Sequence, residues 1–450
     1  MLKKSTVQKL ILAAIGAGLI SVPASAAASA DASYIFNTLL FLIGGFLVMW
    51  MAAGFAMLEA GLVRSKNVAE ICLKNVSLYA LACIMWMLMG YNLMYDGVDG
   101  GYVGTFFSLW SPDDAATLTE GAEIDSSGYA AGSDFFFQMV FVATTASIVS
   151  GTVAERIKLF PFLIFTAVLA GVIYPIQGSW EWGAGWLNSE AYVEAFGSEF
   201  SDFAGSTLVH STGGWAALVG AIILGPRAGR YLDGRIKPMP GSSMPLATLG
   251  TFILWLGWFG FNGASQLALG TVNDAVSVSN IFVNTNMAAA GGAVAALIVT
   301  KLVYKKVDLS MTLNGALAGL VSITAGPLDP TPLAAVMIGG VGGTLVVFAV
   351  PFFDKLKIDD VVGAISVHLV CGIWGTLAVA ITSPGITFMA QLVGLLAVGF
   401  FVATTSATVW YALKATIGIR LDAEDEERGS DLAELGMEAY PEFGKGSQKF

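Results

Sequence analysis

Long apolar runs recur along this chain from Tyr34 to Leu413, and they restrict its fold more than any other feature. Many of the runs approach the roughly 20 residues that a helix needs to cross about 30 Å of hydrocarbon. Hydrophobic residues make up 56% of the 450 residues and charged residues only 12%, whereas an ordinary soluble domain is about 25% charged. A soluble fold of this length could not bury that much apolar surface. The sequence therefore predicts an all-α integral membrane protein.

The breaks between the runs are charged or rich in Gly and Pro, and they predict eleven transmembrane helices. The predicted helices cover residues 34–62, 70–95, 133–153, 159–177, 203–225, 244–265, 277–300, 310–326, 332–352, 361–382 and 387–413. These spans form a transmembrane domain over 31–414, which is followed by a charged tail over 415–450.

The first thirty residues have a different pattern. Three lysines precede the apolar stretch 10–22, which leads to small-residue sites ending at Ala26 and Ala30. This pattern is typical of a secretory signal peptide, here residues 1–30. The alternative is a retained first span, which the shortness of the apolar stretch disfavours. In both cases the chain reaches Asp31 outside the cytoplasm.

Positive charges divide cleanly between alternate connections. If the first span starts outside, every loop lysine and arginine falls on the cytoplasmic side. The outer connections, which contain no Lys or Arg, are 96–132, 178–202, 266–276, 327–331 and 383–386. One miscounted span would reverse every later loop, so this division supports eleven helices, an outer N-terminus and a cytoplasmic C-terminus. The two longest outer connections with their edges are acidic, and Asp134 and Glu181 are counted among these acids. The pattern fits solvated loops and, as an alternative, attraction of cations.

One pattern, Asp-x-x-Gly-x-x-x-Val-His, occurs at 202–210 and again at 360–368. By the predicted count, the first copy lies on the fifth helix and the second on the tenth, and these two helices run in opposite directions. Two inverted five-helix repeats, about 34–226 and 243–382, explain this because an odd number of spans inverts the second copy. A final helix, 387–413, follows. In such folds the substrate site lies at the midplane between the repeats.

His210 and His368 are the only histidines, and both lie well inside predicted spans. Ionisable groups inside a membrane are costly and mark a pathway, a relay or a binding site by default. Facing imidazoles can share a hydrogen bond and relay or accept a proton near physiological pH. A metal site is the alternative, but two histidines without a clustered Cys or Glu fall short of the usual ligands. We therefore predict no metal and no cofactor.

Several blocks of the chain, in this order and spacing, resemble the ammonium transporter family that includes the Amt, Mep and Rh proteins. The blocks are 54–61 (GFAMLEAG), 137–141 (FQMVF), 154–156 (AER), 182–186 (WGAGW), 202–210, 258–262 (WFGFN), 284–286 (NTN), 314–320 (NGALAGL) and 367–368. Two positions depart from the family pattern: Gln177 stands where a histidine is common, and Pro327 stands where a cysteine is usual.

The resemblance implies a non-enzymatic ammonium transporter of the cell inner membrane. It implies a homotrimer in which each subunit has its own pore, surrounded by membrane lipid and without a nucleic-acid partner. The pore would recruit ammonium, deprotonate it and conduct ammonia with or without the proton, and methylammonium would serve as an analogue. The rival hypotheses are an ammonium sensor that conducts poorly and a membrane metalloenzyme. The tail is short for the signalling domain that such sensors usually carry.

The resemblance also implies an outer recruitment site at Phe141, Trp182 and Ser265, with Phe137 beside them. Aromatic faces can replace part of the water around a small cation, at roughly 0.5–2 kcal/mol each. The serine oxygen can accept an N–H from ammonium, whereas potassium has none to donate. Each residue alone would be a packing aromatic or a lipid-facing one, so only the family pattern singles them out.

Below this site, the resemblance implies that Phe141 and Phe261 stack and close the pore, with His210 and His368 lining the path beyond them. The closed rings would force the ion to lose water, which disfavours the charged form. Asp202 would support the site structurally, because a carboxylate at a helix start caps backbone N–H groups.

The tail, 415–450, resembles the cytoplasmic regulatory tail of the family. In relatives this segment couples the subunits of the trimer and meets a PII-type nitrogen-signalling protein. We therefore expect a PII-type partner at the tail. The alternative is a disordered acidic end.

Overall fold

The structure is a computed structural model and describes residues 28–442. The predicted signal peptide lies outside the described residues apart from positions 28–30, and the last eight residues of the tail also lie outside them. The cleavage of a signal peptide therefore stays a prediction.

Ten described helices are long and apolar enough to cross a membrane, and one further apolar helix, α8, is shorter. In chain order they are α1 (Ala30–Leu62), α2 (Ser65–Tyr95), α3 (Ala131–Val153), α4 (Leu159–Ser179), α5 (Ser206–Leu224), α6 (Met244–Gln266), α7 (Val272–Tyr304), α8 (Leu309–Ile323), α9 (Pro332–Lys355), α10 (Ile365–Thr382) and α11 (Phe388–Thr416). The prediction of a multi-pass helical membrane protein is confirmed.

The observed bounds differ from the predicted ones by at most five residues, at the starts of α2 and α7. Two differences have a clear cause. Helices α5 and α10 begin a few residues later than predicted, at Ser206 and Ile365. Ahead of them, Gly205 and Gly363 have φ values of +106° and +83°. This left-handed region interrupts a right-handed helix and favours glycine.

The connections after α2, α4, α6, α8 and α10, which contain no Lys or Arg, lie together and form what we call the acidic face. Hydrogen bonds join them to one another and to the start of α1. They include Trp186 N to Gly101 O (3.0 Å), Phe203 N to Ala325 O (3.0 Å), Thr387 N to Ser198 Oγ (3.0 Å) and Leu269 N to Asn37 Oδ1 (2.7 Å). A short helix, Glu190–Phe196, lies within the α4–α5 connection.

The other connections meet at what we call the basic face, where buried ion pairs hold them together. Glu155 pairs with Arg64 at 2.5 Å and with Arg227 at 3.2 Å, and Arg227 also pairs with Asp359 at 2.8 Å. Burial alone raises the pKa of Asp359, but hydrogen bonds from Arg227 and the charges of Arg156 and Arg227 hold that pKa well below its usual range. Asp359 therefore stays ionised at neutral pH. The ion pairs tie four connections together, those that follow α1, α3, α5 and α9.

The α5–α6 connection contains a small antiparallel hairpin of β1 (Tyr231–Leu232) and β2 (Arg235–Ile236). The tail also folds onto the basic face, through the short helices Ala423–Arg428 and Asp431–Leu435. Its Asp431 accepts a hydrogen bond from the backbone N–H of Glu70 at 2.8 Å, so the tail contacts the start of α2 directly.

Glycines let α7 and α9 approach to backbone contact. A Cβ atom added at Gly343 on α9 would lie 2.1 Å from the carbonyl oxygen of Gly292 on α7. Small residues at such crossings are typical of helix packing in membranes, where close van der Waals contact replaces the hydrophobic effect.

We predict that Gly343→Ala lowers the apparent unfolding temperature in detergent, because the new methyl group overlaps a backbone that cannot move aside. Overpacking of this kind costs about 1–3 kcal/mol. Gly340→Ala on the same helix is the matched control, because its nearest neighbour would lie 3.9 Å away. Thermal unfolding followed by tryptophan fluorescence checks both variants, and equal midpoints would contradict the packing argument.

Candidate functional site

The start of α5 is held by Asp202, which accepts four backbone hydrogen bonds. Its Oδ1 accepts from the N–H groups of Gly205 (3.0 Å) and Ser206 (2.7 Å), and its Oδ2 accepts from those of Thr207 (2.7 Å) and Leu208 (2.8 Å). These N–H groups at a helix start have no partner within the helix. The carboxylate is fully buried and therefore sets where and how α5 begins.

Asp360 holds the start of α10 from the basic face in the same manner. It accepts from the N–H groups of Ala364 (3.1 Å) and Ile365 (2.8 Å) and from the hydroxyl of Thr152 (2.9 Å). Both helices then begin with a π-helical turn that contains a histidine, at Ser206–Ser211 and Ile365–Val370. Such turns are frequent at functional sites.

The two histidines face each other between α5 and α10. The Nδ1 atoms of His210 and His368 lie 3.1 Å apart, and both side chains are buried. One ring nitrogen must donate and the other accept in this contact, so a neutral pair shares one proton on its Nδ1 atoms. The Nε2 atom of His210 has no hydrogen-bond partner among the described residues. It is available to a proton donor that enters from elsewhere.

Aromatic rings surround this pair. The imidazole of His210 stacks on Trp258 at 4.9 Å and on Phe261 at 5.2 Å between ring centroids, and Phe55 lies 6.1 Å from His368. The surroundings of the pair are therefore largely apolar.

Phe141 and Phe261 stack on the acidic-face side of the pair, with ring centroids 4.1 Å apart and an angle of 31° between their planes. Both are almost completely buried, at 1% and 0% exposure. Rings in direct contact leave no room for water between them. The predicted gate residues are therefore adjacent in the fold.

A cavity of about 480 Å³ opens on the acidic face beside Phe141, and its lining includes Phe137, Phe141, Trp182 and Ser265. The structure thus brings together the four residues that the sequence assigned to ammonium recruitment. The indole N–H of Trp182 donates to the carbonyl oxygen of Asp202 at 3.0 Å, and Ser265 Oγ donates to the carbonyl oxygen of Phe261 at 2.8 Å.

The same cavity contains two acids that the sequence analysis counted among solvated loop residues. Asp134 is only 7% exposed and accepts a hydrogen bond from the hydroxyl of Tyr91, while Glu181 is 9% exposed and accepts from the N–H of Asp202 at 2.7 Å. For these two residues the solvated-loop interpretation is wrong. Asp134 lies in the first turn of a predicted span, a position that could have distinguished it.

A small void and a second cavity lie on the basic-face side of the histidines. A void of about 10 Å³ is lined by His368, Phe55 and Glu59, and also by Asn314 and Val362. The last two residues also line a cavity of about 480 Å³ that includes Asp360 and Arg230. The molecule therefore contains, in order, a cavity, a phenylalanine pair, a histidine pair, a small void and a second cavity.

The two departures from the family pattern have local hydrogen-bond partners. Gln177 is buried, and its Nε2 donates to the carbonyl oxygen of Leu208 at 2.8 Å, which connects α4 to the first turn of α5. The carbonyl oxygen of Pro327 accepts from Asn284 Nδ2 at 2.9 Å.

A multi-pass helical protein with a buried polar pair between cavities on two faces has the architecture of a membrane transport protein. The sequence profile of the Ammonium Transporter Family matches residues 39–440, and the chain belongs to this family. The family resemblance predicted from the sequence is confirmed.

Individual relatives support the assignment. The chain is 41% identical over 427 residues to the ammonium transporter Amt2 of Archaeoglobus fulgidus, covering 89% of this chain and 87% of the relative. It is 39% identical over 432 residues to a putative ammonium transporter of Synechocystis, and the match covers 95% of this chain and 94% of the relative. Among solved structures, a sensor Amt protein superposes with a TM-score of 0.80 at 36% identity, covering 90% of this chain and 99% of that one. The structure of Candida albicans Mep2 superposes with a TM-score of 0.75 at 26% identity, and the match covers 92% of this chain and 92% of that one.

We predict that Asp202→Ala sharply lowers the stability and the yield of folded protein. The change removes the acceptor of four buried N–H groups, and each unsatisfied group costs about 1–3 kcal/mol. Asp274→Ala is the control, because Asp274 also lies at a helix start but is partly exposed and makes its capping hydrogen bonds at the surface. Loss of such a cap costs only about 1 kcal/mol. Fluorescence-detected size exclusion after heating measures both variants. Equal losses would show that Asp202 does not organise the start of α5.

Proposed function

We propose that this protein transports ammonium across the cell inner membrane. The proposed topology has eleven transmembrane helices, with the N-terminus outside and the C-terminus in the cytoplasm, in two inverted five-helix repeats and a final helix. The matching Asp202 and Asp360 caps support the repeat, and the Lys and Arg distribution supports the orientation through the positive-inside rule. The observation that carries the proposal is the histidine pair, with Nδ1 atoms 3.1 Å apart, between two cavities.

Recruitment occurs in the acidic-face cavity, which is the outer one in this topology. The rings of Phe137, Phe141 and Trp182 offer their faces to a small cation. The proton of the Ser265 hydroxyl is committed to the carbonyl oxygen of Phe261, so the lone pairs of Ser265 Oγ remain free to accept an N–H. Ammonium can donate that hydrogen bond and potassium cannot, which makes the site selective between cations of similar size.

The contact between Phe141 and Phe261 removes water from the ion as it passes. Taking a charge out of water is expensive, whereas the neutral molecule crosses at low cost. Ammonium therefore gives up its proton at this level: one N–H bond breaks, its electron pair stays on nitrogen as ammonia, and the proton goes to the unpartnered Nε2 of His210. Ammonia then passes His210 and His368, either with the proton following through the histidine pair or without it.

We also propose a homotrimer and a PII-type partner at the tail. The contacts of Asp431 with Glu70 and of Ser430 with Asn67 support the second proposal, because they couple the tail to α2. A protein that displaces the tail would thereby act on a transmembrane helix.

Currents in proteoliposomes after a jump in ammonium concentration test the function. We expect current with ammonium and much less with potassium, and we expect the double variant His210→Ala, His368→Ala to lose at least tenfold in current or to lose this selectivity. Protein-free liposomes control for leakage of ammonia. An unchanged current and selectivity in the double variant would place the histidines outside the path.

Replacement of Ser265 tests the recruitment site separately. We predict that Ser265→Ala lowers the preference for ammonium over potassium about 2- to 10-fold, as expected for one hydrogen bond worth about 0.5–1.5 kcal/mol. Competition between the two ions for current measures the preference. Thr404→Ala, which removes an exposed hydroxyl that donates to the carbonyl oxygen of Phe400, is the matched control and is expected to keep the wild-type preference.

A second candidate function is an ammonium sensor that conducts poorly. The superposition with a sensor Amt protein favours it, at a TM-score of 0.80. Absence of both current and ammonia-driven pH change, with ammonium binding retained in calorimetry, would support this second function over transport.

A further inference from the structure

Glu59 is a buried carboxylate that the transport path described above does not use. It lies on α1 with 1% exposure, in a segment long and apolar enough to span the membrane. An ionisable group at such a place is costly and needs a reason. The small void beside His368 is lined by Glu59 as well, so the two side chains border the same space.

The hydrogen bonds of Glu59 leave one oxygen unused. Its Oε2 accepts from the hydroxyl of Ser150 at 2.8 Å and from Asn75 Nδ2 at 3.1 Å. Its Oε1 has no hydrogen-bond partner among residues 28–442. Buried polar atoms in proteins are nearly always paired, and an unpaired one calls for water, an ion or a functional role. Oε1 is therefore available to a water molecule or a proton.

The void has the size for one such molecule. Its volume of about 10 Å³ is close to the lower limit of ~10–15 Å³ for a single water. Gly151 keeps this region open, because a Cβ atom there would lie 2.5 Å from Val362 Cγ2 and 3.5 Å from the Glu59 carboxyl carbon. One water between Glu59 and His368 would have polar groups on two sides.

Nearby charges do not neutralise Glu59 by direct pairing. From α2, Lys74 lies 3.7 Å from the carboxylate of Glu70, and no ion pair joins it to Glu59 among the described residues. From α3 the only hydrogen-bonding neighbour is Ser150, and from α10 the titratable neighbour across the void is His368. Among the described residues, Glu59 thus borders the void without a salt-bridge partner, and the ion pair of Lys74 is with Glu70.

We propose that Glu59 accepts the proton that leaves the histidine pair and releases it toward the basic face. This inference rests on the proposed transport function and extends it with a proton-accepting residue. In the step, an N–H bond of the His368 imidazolium breaks and its proton passes to the water, while another proton of that water passes to Glu59 Oε1. The water is regenerated, the imidazole becomes neutral, and the carboxylate becomes a carboxylic acid.

The basic-face cavity provides the exit. Asn314 and Val362 line both the void and that cavity, so the two spaces adjoin at these residues. Loss of the proton from the carboxylic acid to water there restores the carboxylate. Ammonia follows the void without needing Glu59, so proton and ammonia fluxes become separable at this residue.

The test compares Glu59→Gln with Glu70→Gln in proteoliposomes. Glutamine keeps the size and the hydrogen-bonding oxygen of glutamate but cannot hold and release a proton. Glu70 is the matched control, because it is equally buried at 1% exposure and adjoins Lys74 but does not line the void. Ammonium-evoked current reports proton-coupled charge movement, and alkalinisation of the lumen, followed with a trapped pH dye, reports entry of ammonia.

We expect Glu59→Gln to lose at least tenfold in current while ammonia-driven alkalinisation persists, and Glu70→Gln to keep both signals within about twofold. Glu59→Asp, which restores a carboxylate, is expected to recover part of the current. Full current in Glu59→Gln, or equal loss in both Gln variants, would overturn the proposal. If wild-type protein gives neither current nor alkalinisation, the transport function itself has failed instead.

A second variant keeps the test decisive if Glu59→Gln does not fold. Ser147 lines the void and donates only to a carbonyl of its own helix. Ser147→Val fills the space for water and leaves the carboxylate in place. We expect it to reduce the current more than the alkalinisation, and an unchanged current would overturn the proposal.

Discussion

The hydrogen bond between the Nδ1 atoms of His210 and His368 depends on how two helices begin. Each helix starts at an aspartate, the buried Asp202 or the partly exposed Asp360, that accepts backbone N–H groups and fixes the first turn. A shift of either start by one residue would rotate its histidine by about 100° around the helix axis, because a helix has 3.6 residues per turn. The 3.1 Å contact therefore requires both caps at once.

The apolar interior of the membrane explains where the charged side chains of this protein lie. A helix inside hydrocarbon satisfies its backbone but not an ionised side chain. Most charges are accordingly at the two faces, and the basic face pairs Arg227 with both Glu155 and Asp359. The exceptions within the helices are few, and Glu59 is one that borders the histidine site. Buried polar groups at such positions have a high cost, so their placement is informative about function.

The tail connects this interior to the cytoplasmic side of the proposed topology. Asp431 accepts from Glu70 on α2, and Lys158 donates its backbone N–H to Ile419. Burial raises the pKa of Asp431, while hydrogen bonds from the N–H groups at the start of α2 oppose that rise. The same α2 supplies Asn75, which donates to Glu59. The tail and Glu59 are thus both hydrogen-bonded to α2.

The sequence alone determined the helical membrane architecture, the positions of the spans to within five residues, the family and the matching histidine motifs. Hydropathy, charge distribution and repeated spacing are properties of the linear chain. In a membrane protein, hydropathy and charge distribution determine which segments span and in which direction. It also singled out Phe137, Phe141, Trp182 and Ser265, but only through the family resemblance. With 28 phenylalanines and 11 tryptophans, composition could not have selected them.

Only the tertiary structure decided which of these residues meet. The 4.1 Å contact of Phe141 with Phe261, the burial of Asp134 and the position of Glu59 beside His368 all depend on how helices far apart in sequence pack together. Asp134 was counted with the solvated acids although it lies at the edge of a predicted span, because hydropathy cannot report which side of a helix end faces a cavity. Hydropathy passed over Glu59 because one acid in an apolar span carries no signal until its neighbours from α2, α3 and α10 are known.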